Sequence, residues 1–560
     1  MTRSRVVAPG PEQKEAEIMA GPNRNNPYSF DEFLAWRKSV DYYRDDPFFQ
    51  KVLRHFCGDE WEGLDKELRQ MSVKVSRRWR DFAEKIALPE HRPYMKHYDG
   101  HNHRIDRIVR PLETEIMERE IFSEALFSEN TSPWLRLAKM YLIYQNGEAC
   151  VACPLTCTEG LVALLEKYAD APDTRRILEH CREGIDGYFA IGAQYLSEIQ
   201  GGSDVPANVL EAVQEGGQWR LYGTKFFCSA THADYAVVTA KPAGSDKVAL
   251  FVVPSWLEGD KEKEIRNGYT IDRIKWKMGT SELTTAELTF NGAVAYPVGP
   301  LDRGVANVVG IVLTYSRLTV GLSAAAFMAR AVREARAYAT FREAFGMRIG
   351  QFPLLEAQLQ TLELYSKRTV CAAFRLYRDF LALPGGLKGG LATDETPEEK
   401  KRRFDVRELI MLQKIAASWD CTDVVRQAMS VFGGHGVMED FSSLPRLFRD
   451  SAINELWEGP RNVLLTQMHR DFQRVAGWYR PSEFVRHILA GADESRVLEL
   501  GAEMDDLIGH QSLFAMDEKT LEACRRWDAF CQELFHAYQD CALAEVEAGG
   551  QDREGALSAL

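Results

Sequence analysis

The 560-residue chain is short of the usual signatures of nucleotide, metal and nucleophile chemistry. No GxGxxG follows a strand pattern and no GxxxxGK[ST] occurs, which leaves out both the Rossmann and the P-loop way of holding phosphate. HExxH and GxSxG are absent too. A nucleotide cofactor, if one is used, must be held in another manner. Cysteine is scarce, 11 residues and an odd number. No apolar stretch of signal-peptide length follows Arg3 and Arg5, so free thiols in a reducing cytoplasm are expected. Positive charge is in deficit: 69 Lys and Arg against 82 Asp and Glu give −13. That excess of acid disfavours broad nucleic-acid binding, which needs a concentrated basic surface. Long hydrophobic runs are missing as well. Leu318 to Ala331 is broken by Gly321, Ser323 and Arg330 and is too short to cross a bilayer.

What is present is an ordinary globular mixture, 45% hydrophobic and 27% charged, long enough for three or four domains. Residues 1–45 carry Pro9, Pro11, Pro22 and Pro27 and read as an N-terminal extension with a loose beginning. Residues 46–190 show helical spacing, as in Leu161, Leu164, Leu165 and Tyr168. From 191 to 300 the runs Gln218 to Ala240, Val248 to Val253 and Thr285 to Tyr296 are rich in β-branched and aromatic residues. Turn signals such as Gly216-Gly217 and Asn291-Gly292 separate them, which predicts an antiparallel barrel or sandwich. Helical periodicity returns over 301–475, read as a four-helix bundle. PGGLKGG and the charged run EEKKRR interrupt it and are expected as a solvated loop. Residues 476–560 form a helical C-terminal extension, with 7 basic and 17 acidic residues from Arg480 onward. The fold class is α+β: helices, a β domain, helices, and a helical extension.

Several short segments bear on chemistry, each with a structural alternative. QGGSD (Gln200 to Asp204) follows YLSEI, and paired glycines let backbone approach a ligand; the segment also reads as a plain turn. KFFCSA (Lys225 to Ala230) offers Phe227 to a flat ring and Ser229 to its edge, or simply fills a core. REAFG (Arg342 to Gly346), on or near a long helix, supplies an arginine suited to phosphate. FGGHG ends a helix that reaches Val431, and Gly433 or Gly434 can cap it. In NELWEGPRN, Gly459 and Pro460 fit the N-cap and first position of a new helix. Glu458 then lies before that helix, where the dipole lowers its pKa and an apolar ligand raises it, a balance suited to a general base. Cys150, Cys153 and Cys157 lack a fourth ligand nearby and contain Pro154 in their run, so no metal is expected.

The order of these segments resembles the acyl-CoA dehydrogenase family over about residues 120–475. ACPLTCTEG, SEIQGGSDV and ELWEGPRN look closest to the larger branch that includes the alkylation-response flavoprotein AidB. The resemblance implies a dehydrogenase that holds FAD between the β domain and the C-terminal helices, with a neighbouring subunit completing the site. It implies that Ser197, Gly202 and Ser203 contact flavin or thioester, that Phe227 packs on the ring, and that Ser229 meets its N5 edge. Arg342, Phe345, Gly433, Gly434 and Asn462 fall at cofactor positions. Arg317, Trp457 and Gly459 fall on the substrate side with Ser203, and Glu458 at the base that removes the α-proton while the β-hydrogen leaves as hydride. Ser316 stands where some relatives carry an alternative base.

Pro460, Ser430 and Pro353 depart from the family pattern at cofactor positions. The implied partners are an acyl-CoA, an electron-transfer flavoprotein and a second copy of the chain, as dimer or tetramer, with neither membrane nor nucleic acid expected. Two other functions compete on the same resemblance: a protective flavoprotein associated with nucleic acid, and a flavin oxidase or monooxygenase.

Overall fold

The computed structural model describes residues 28–384, 395–510 and 512–557, with side chains through 549. The first helix, α1 (Asp31–Ser39), already belongs to the core. Phe33 is 1% exposed and stacks on Phe341 at 5.9 Å, with Phe432 and Phe441 beside it. The extension read over residues 1–45 is therefore shorter. A ring that size does not stay in water when a matching aromatic cluster is within reach. The loose beginning expected for the first twenty residues lies outside the described residues.

The helical region that follows contains a two-stranded hairpin, β1 (Tyr94–Tyr98) and β2 (Arg104–Val109), where helix alone was expected. Two of its helices matter below, α2 (Pro133–Tyr144) and α3 (Ala152–Tyr168).

The β domain comprises β3 (Gly192–Tyr195), β4 (Glu211–Glu215), β5 (Gln218–Ser229), β6 (Tyr235–Pro242), β7 (Ala249–Pro254), β8 (Tyr269–Ile274) and β9 (Thr285–Pro297). The strand order is β3-β6-β4-β5-β9-β7, and β7 also pairs with β6, so the sheet closes into a barrel. Closure removes the open edges that isolated strands would present. Most pairs are antiparallel, but β6 runs parallel to both β3 and β4. β7, buried at all six positions, reads as a continuous hydrophobic run because protein covers both its faces.

The C-terminal helices are α4 (Leu313–Phe341), α5 (Pro353–Leu381), α6 (Pro397–Val431), α7 (Leu444–Leu456) and α8 (Arg461–Val475). Together with the residues from Gly304, α4 is long and apolar enough to cross a membrane, but most of its apolar stretch is buried within the protein. It is the central helix of the bundle. Its Arg330 donates to Asn146 Oδ1 and Ser443 Oγ, each at 3.2 Å, and so ties the N-terminal and C-terminal helices together.

Three local readings change. The charged run Glu398 to Arg403 is not loop: Thr396 and Glu399 form a capping box, and Pro397 opens α6. Residues 385–390 of PGGLKGG lie outside the described residues. Arg342 caps the end of α4, and the rest of REAFG is a hairpin, β10 (Glu343–Ala344) with β11 (Met347–Arg348), rather than helix. Pro460 is the N-cap of α8, one residue later than the N-cap read at Gly459, which lies in the preceding turn.

The extension forms α9 (Pro481–Ile488), α10 (Glu494–Ile508) and α11 (Glu518–Leu557). It is packed on the bundle: Trp527 Nε1 donates to Leu465 O at 2.9 Å, and Gln539 Nε2 to Thr369 Oγ1 at 3.0 Å. Replacing Phe33 by Ala is expected to cost about 3–5 kcal/mol in denaturant unfolding, the range for a buried ring. A loss under about 1 kcal/mol would remove α1 from the core.

Candidate active site

The turn between α7 and α8 carries the carboxylate singled out by the sequence. α7 ends at Leu456, Trp457 is extended, and Glu458 and Gly459 both turn left-handed with φ of 59° and 99°. Glycine adopts that conformation freely; glutamate does so at a cost of about 1–3 kcal/mol, which the surroundings must offset. Three side chains from distant elements supply the restraint. Arg317 Nε on α4 donates to the Glu458 carbonyl at 3.0 Å. Lys414 Nζ on α6 donates to the carbonyls of Gly459 at 2.6 Å and Glu455 at 2.9 Å. Gln194 Nε2 on β3 donates to the carboxylate itself, at 2.9 Å from Oε1, and reaches Ser316 Oγ at 3.2 Å.

Electrostatics follow from this packing. Burial pushes the Glu458 carboxyl up to about 7, with Arg317, Lys414 and the Gln194 hydrogen bond pulling the other way. Burial also draws Lys414 down to about 7 and Arg317 to about 10, with Glu458 opposing both shifts. A carboxyl that gains and loses its proton near neutrality suits general-base work.

Glu458 lines one hollow, and Arg317, which holds its carbonyl, lines another. A cavity of about 30 Å³ between α2, α3, α4 and α7 is lined by Glu458 and Trp457. A far larger cleft, about 850 Å³, has Arg317 on its wall with Arg403, Arg407, Arg470 and Arg474, and Phe514 at the C-terminal side. Asn462 lines this cleft together with Arg317.

A second set of candidates lies on the β domain. Phe226 N donates to Ser197 O at 2.9 Å, which fastens the loop after β3 to β5 next to Phe227. Phe227 is 51% exposed, and Ser229 Oγ lies 3.1 Å from Thr285 Oγ1 on the paired strand. Trp276, also on this domain, is 88% exposed. Gly202 has no room for a side chain, because a Cβ there would lie 2.2 Å from Ser197 Oγ. Ser203 is exposed nearby. Phe345, at φ 53° on the α4–α5 hairpin, is 99% exposed, and Arg342 lies over the Tyr28 ring at 4.9 Å. Gly433, left-handed at φ 58°, and Gly434 face open space. Of these residues Gly202, Ser203, Phe227, Phe345, Gly433 and Gly434 are exposed, while Ser197, Ser229 and Arg342 are half-buried.

Sequence reasoning passed over Gln194, Lys414 and the pair Glu198–Lys225. Lys225 Nζ, fully buried, lies 2.8 Å from Glu198 Oε1, and Glu198 also accepts from Val209 N and Leu210 N. This acid pins the SEIQGGSD loop onto the barrel. The only available signal was a lysine inside a strand rich in aromatics.

Two outcomes test these assignments. Lys225→Met leaves Glu198 buried without its partner and is expected to cost about 3–5 kcal/mol, partly restored by adding Glu198→Gln; equal unfolding midpoints for single and double variants would refute the pairing. For Glu458, a folded pKa above the unfolded one means stability is complete at low pH and is lost as pH rises towards about 7. Glu458→Gln is therefore expected to be thermally neutral near pH 5 and to raise the melting temperature at pH 8. No difference at pH 8 would place the carboxyl in water.

Comparison with known proteins gives the same frame. Residues 35–179 match the model of the adaptive response protein AidB N-terminal domain, residues 193–293 the acyl-CoA dehydrogenase middle domain, and residues 302–472 the acyl-CoA dehydrogenase C-terminal domain. Acyl-CoA dehydrogenase family member 11 of Caenorhabditis elegans is 27% identical over 455 residues, 77% of this chain and 70% of the relative. AidB of Escherichia coli is 28% identical over 351 residues, 61% of either chain. Among solved structures, the apo form of Bd2924 superposes with a TM-score of 0.79 at 24% identity, covering 91% of this chain and 98% of that one. ACDH-11 of Caenorhabditis elegans in complex with C11-CoA gives 0.75 at 22% identity, covering 95% and 90%. These two likenesses concern the fold. With its three domains matched in family order around the Glu458 turn, the chain belongs to the acyl-CoA dehydrogenase family.

Proposed function

We propose that the protein is an FAD-dependent acyl-CoA dehydrogenase in which Glu458 removes the α-proton of a thioester. The observation that carries this reading is a desolvated carboxyl, raised to about 7, that lines a small cavity on a restrained turn whose anchor Arg317 lines a large arginine-bearing cleft. The backbone N–H of Glu458 is the donor assigned to the thioester carbonyl, which must be polarised before its α-proton becomes acidic. Gln194 orients the carboxylate. Lys414 and Arg317 fix the turn and lower the cost of charge on it.

The residues present fit FAD. Phe227 and Trp276 on the β domain are exposed rings, with Lys275 Nζ 4.4 Å over the first and Arg92 4.5 Å over the second; the Gly201–Gly202 turn packs closely on Ser197, and Gly433 and Gly434 leave room for backbone contact with a diphosphate. FAD bound there would accept the β-hydrogen as hydride, so that the saturated thioester becomes the α,β-unsaturated one and the flavin is reduced. A related acyl-CoA dehydrogenase structure from Bacillus anthracis is described as complexed with FAD. The near-complete exposure of Phe345 supports a site shared between copies, hence a homodimer or tetramer. An electron-transfer flavoprotein is the proposed acceptor, and the cytoplasm the proposed compartment. The cleft arginines hold the coenzyme's phosphates. The extension's 17 acidic against 7 basic residues favour this reading over a nucleic-acid role.

Anaerobic mixing of the purified yellow holoprotein with a panel of acyl-CoA thioesters is expected to bleach the flavin. Glu458→Gln is expected to lose about 10²–10⁴-fold in rate, the contribution typical of a general base. The rate should rise with pH through about 7 as the carboxyl ionises. Bleaching that survives the substitution refutes the base. Arg470→Ala is expected to raise KM for acyl-CoA by about tenfold, the loss of one charge-assisted contact, without affecting an N-acetylcysteamine thioester, which lacks phosphates. An equal effect on both would move the phosphates elsewhere.

A further inference from the structure

Immediately after the Glu458 turn, α8 starts without a capping side chain, since Pro460 has none to offer. Its first residue is Arg461, a cation at the positive end of the helix dipole, where an anion is the favoured charge. What holds the arginine there is the C-terminal extension, which lies beyond residue 472, where the match to the acyl-CoA dehydrogenase C-terminal domain ends. Arg461 Nε donates to Asp528 Oδ1 at 2.6 Å, Nη1 to Gln532 Oε1 at 2.9 Å and Nη2 to Asp528 O at 3.2 Å, all on α11. Nη1 also reaches Ile415 O on α6 at 3.4 Å. The neighbouring Lys414 is the residue that holds the carbonyls of Gly459 and Glu455. One planar fork thus joins the start of α8 to α6 and α11.

We propose that α11 of the extension positions the Glu458 turn for proton abstraction, and that Arg461 is the positioning residue through which it acts. The inference rests on the dehydrogenase reading of Glu458 and gives the extension a part in that same reaction.

The turn and the first turn of α8 are packed too closely to move apart. A Cβ on Gly459 would lie 2.9 Å from Leu464 Cδ2, and Leu464 is fully buried. A second bond ties this helix to α11, from Trp527 Nε1 to Leu465 O at 2.9 Å. Gln532 is itself fixed: its Nε2 donates to Asp420 Oδ1 on α6 at 2.9 Å, and His536 Nε2 lies 2.9 Å from Asp420 Oδ2. A shift of α11 therefore carries α8 with it, and α8 carries the turn. Arg317 on α4 and Lys414 on α6 are the charges that face Glu458, and Gln194 on β3 donates to it. Arg461 faces Asp528, with Asp420 and His536 behind Gln532. Without the Arg461 bonds the downstream end of the turn is free to shift, which admits water to the carboxyl and lowers its affinity for a proton.

The test compares the holoprotein with Arg461→Met, Arg461→Lys and the double variant Asp528→Ala with Gln532→Ala, in anaerobic flavin reduction by the acyl-CoA that bleaches the wild type fastest. Arg461→Met and the double variant are expected to lower kcat about ten- to a hundredfold, the cost of misplacing a reacting group by about an ångström, while KM stays within about twofold. The midpoint of their rate–pH curve is expected to fall from about 7 towards the ordinary carboxylate range. Arg461→Lys keeps one charged contact and is expected to recover part of kcat. Wild-type kcat and pH midpoint in the folded variants, whatever their melting temperatures, overturn the proposal. A rise in KM alone also overturns it, by assigning Arg461 to the cleft. The double variant, whose Asp528 side chain is 50% exposed, supplies these readings should Arg461→Met not fold. A further measurement needs no turnover. The gain in melting temperature that Glu458→Gln brings at about pH 8 is expected to shrink when Arg461 or its partners are also replaced, because a carboxylate already hydrated has less to gain from removal. An undiminished gain overturns the proposal even where the flavin bleaches. A shrunken gain in a protein that no thioester bleaches upholds the grip on the turn and overturns the dehydrogenase reading instead.

Discussion

The site depends on how positive charge is applied to one buried carboxylate. Arg317 and Lys414 both attract Glu458, yet neither hydrogen-bonds to its oxygens: one holds the residue's own carbonyl, the other the carbonyls of Gly459 and Glu455. A guanidinium forked onto the carboxylate would depress its pKa by units and leave a poor base. Held at the backbone, the same cations fix the turn and compensate for burial only in part, so the carboxyl stays near neutrality. The one direct contact, Gln194, is a neutral donor that orients the oxygens without binding a proton. Positioning and basicity are thereby set by separate groups.

The arrangement has a mutual character. Lys414 is itself buried, and its ammonium is destabilised as Glu458's carboxylate is. Each group's charge opposes the other's shift. Replacing either by a neutral residue therefore changes the ionisation of the other, and single-variant rate losses at these positions do not add. Gln194 extends the coupling to α4, since it touches Ser316 as well, the position at which some relatives carry the base. Here a small hydroxyl fills that place, and the amide bridges from it to the carboxylate.

What the sequence made legible was local. The helix start after the WEG segment, the end of α6 at FGGHG and the barrel strands all announce themselves through glycines, proline and β-branched runs. The capping box TPEE was also written there, at Thr396 to Glu399, but the charge run following it masked a helix start. The parallel pairing of β3 with β6 was out of reach, because each strand alone carries the same alternation whichever way its neighbour runs. Gln194 and Glu458 are 264 positions apart, and neither bears a signal of the other. The same applies to Lys225, which looked like a strand residue until Glu198 was found against it. Partners that meet only through folding have no local spacing from which they can be read.

The turn at Glu458 also explains why a glycine would not serve in its place, though it would relax the backbone. A left-handed residue reverses the direction of the chain between α7 and α8 within one step, so its side chain departs on the side opposite to that of its neighbours. With Trp457 extended before it and Gly459 left-handed after it, the carboxyl leaves the chain towards Gln194 and the small cavity. The strain is sustained because α4 and α6 grip the turn's carbonyls and β3 its carboxylate, from separate directions. Loss of any one grip lets the backbone relax towards an ordinary conformation and swings the carboxyl away from Gln194. Geometry and proton affinity would then fail together.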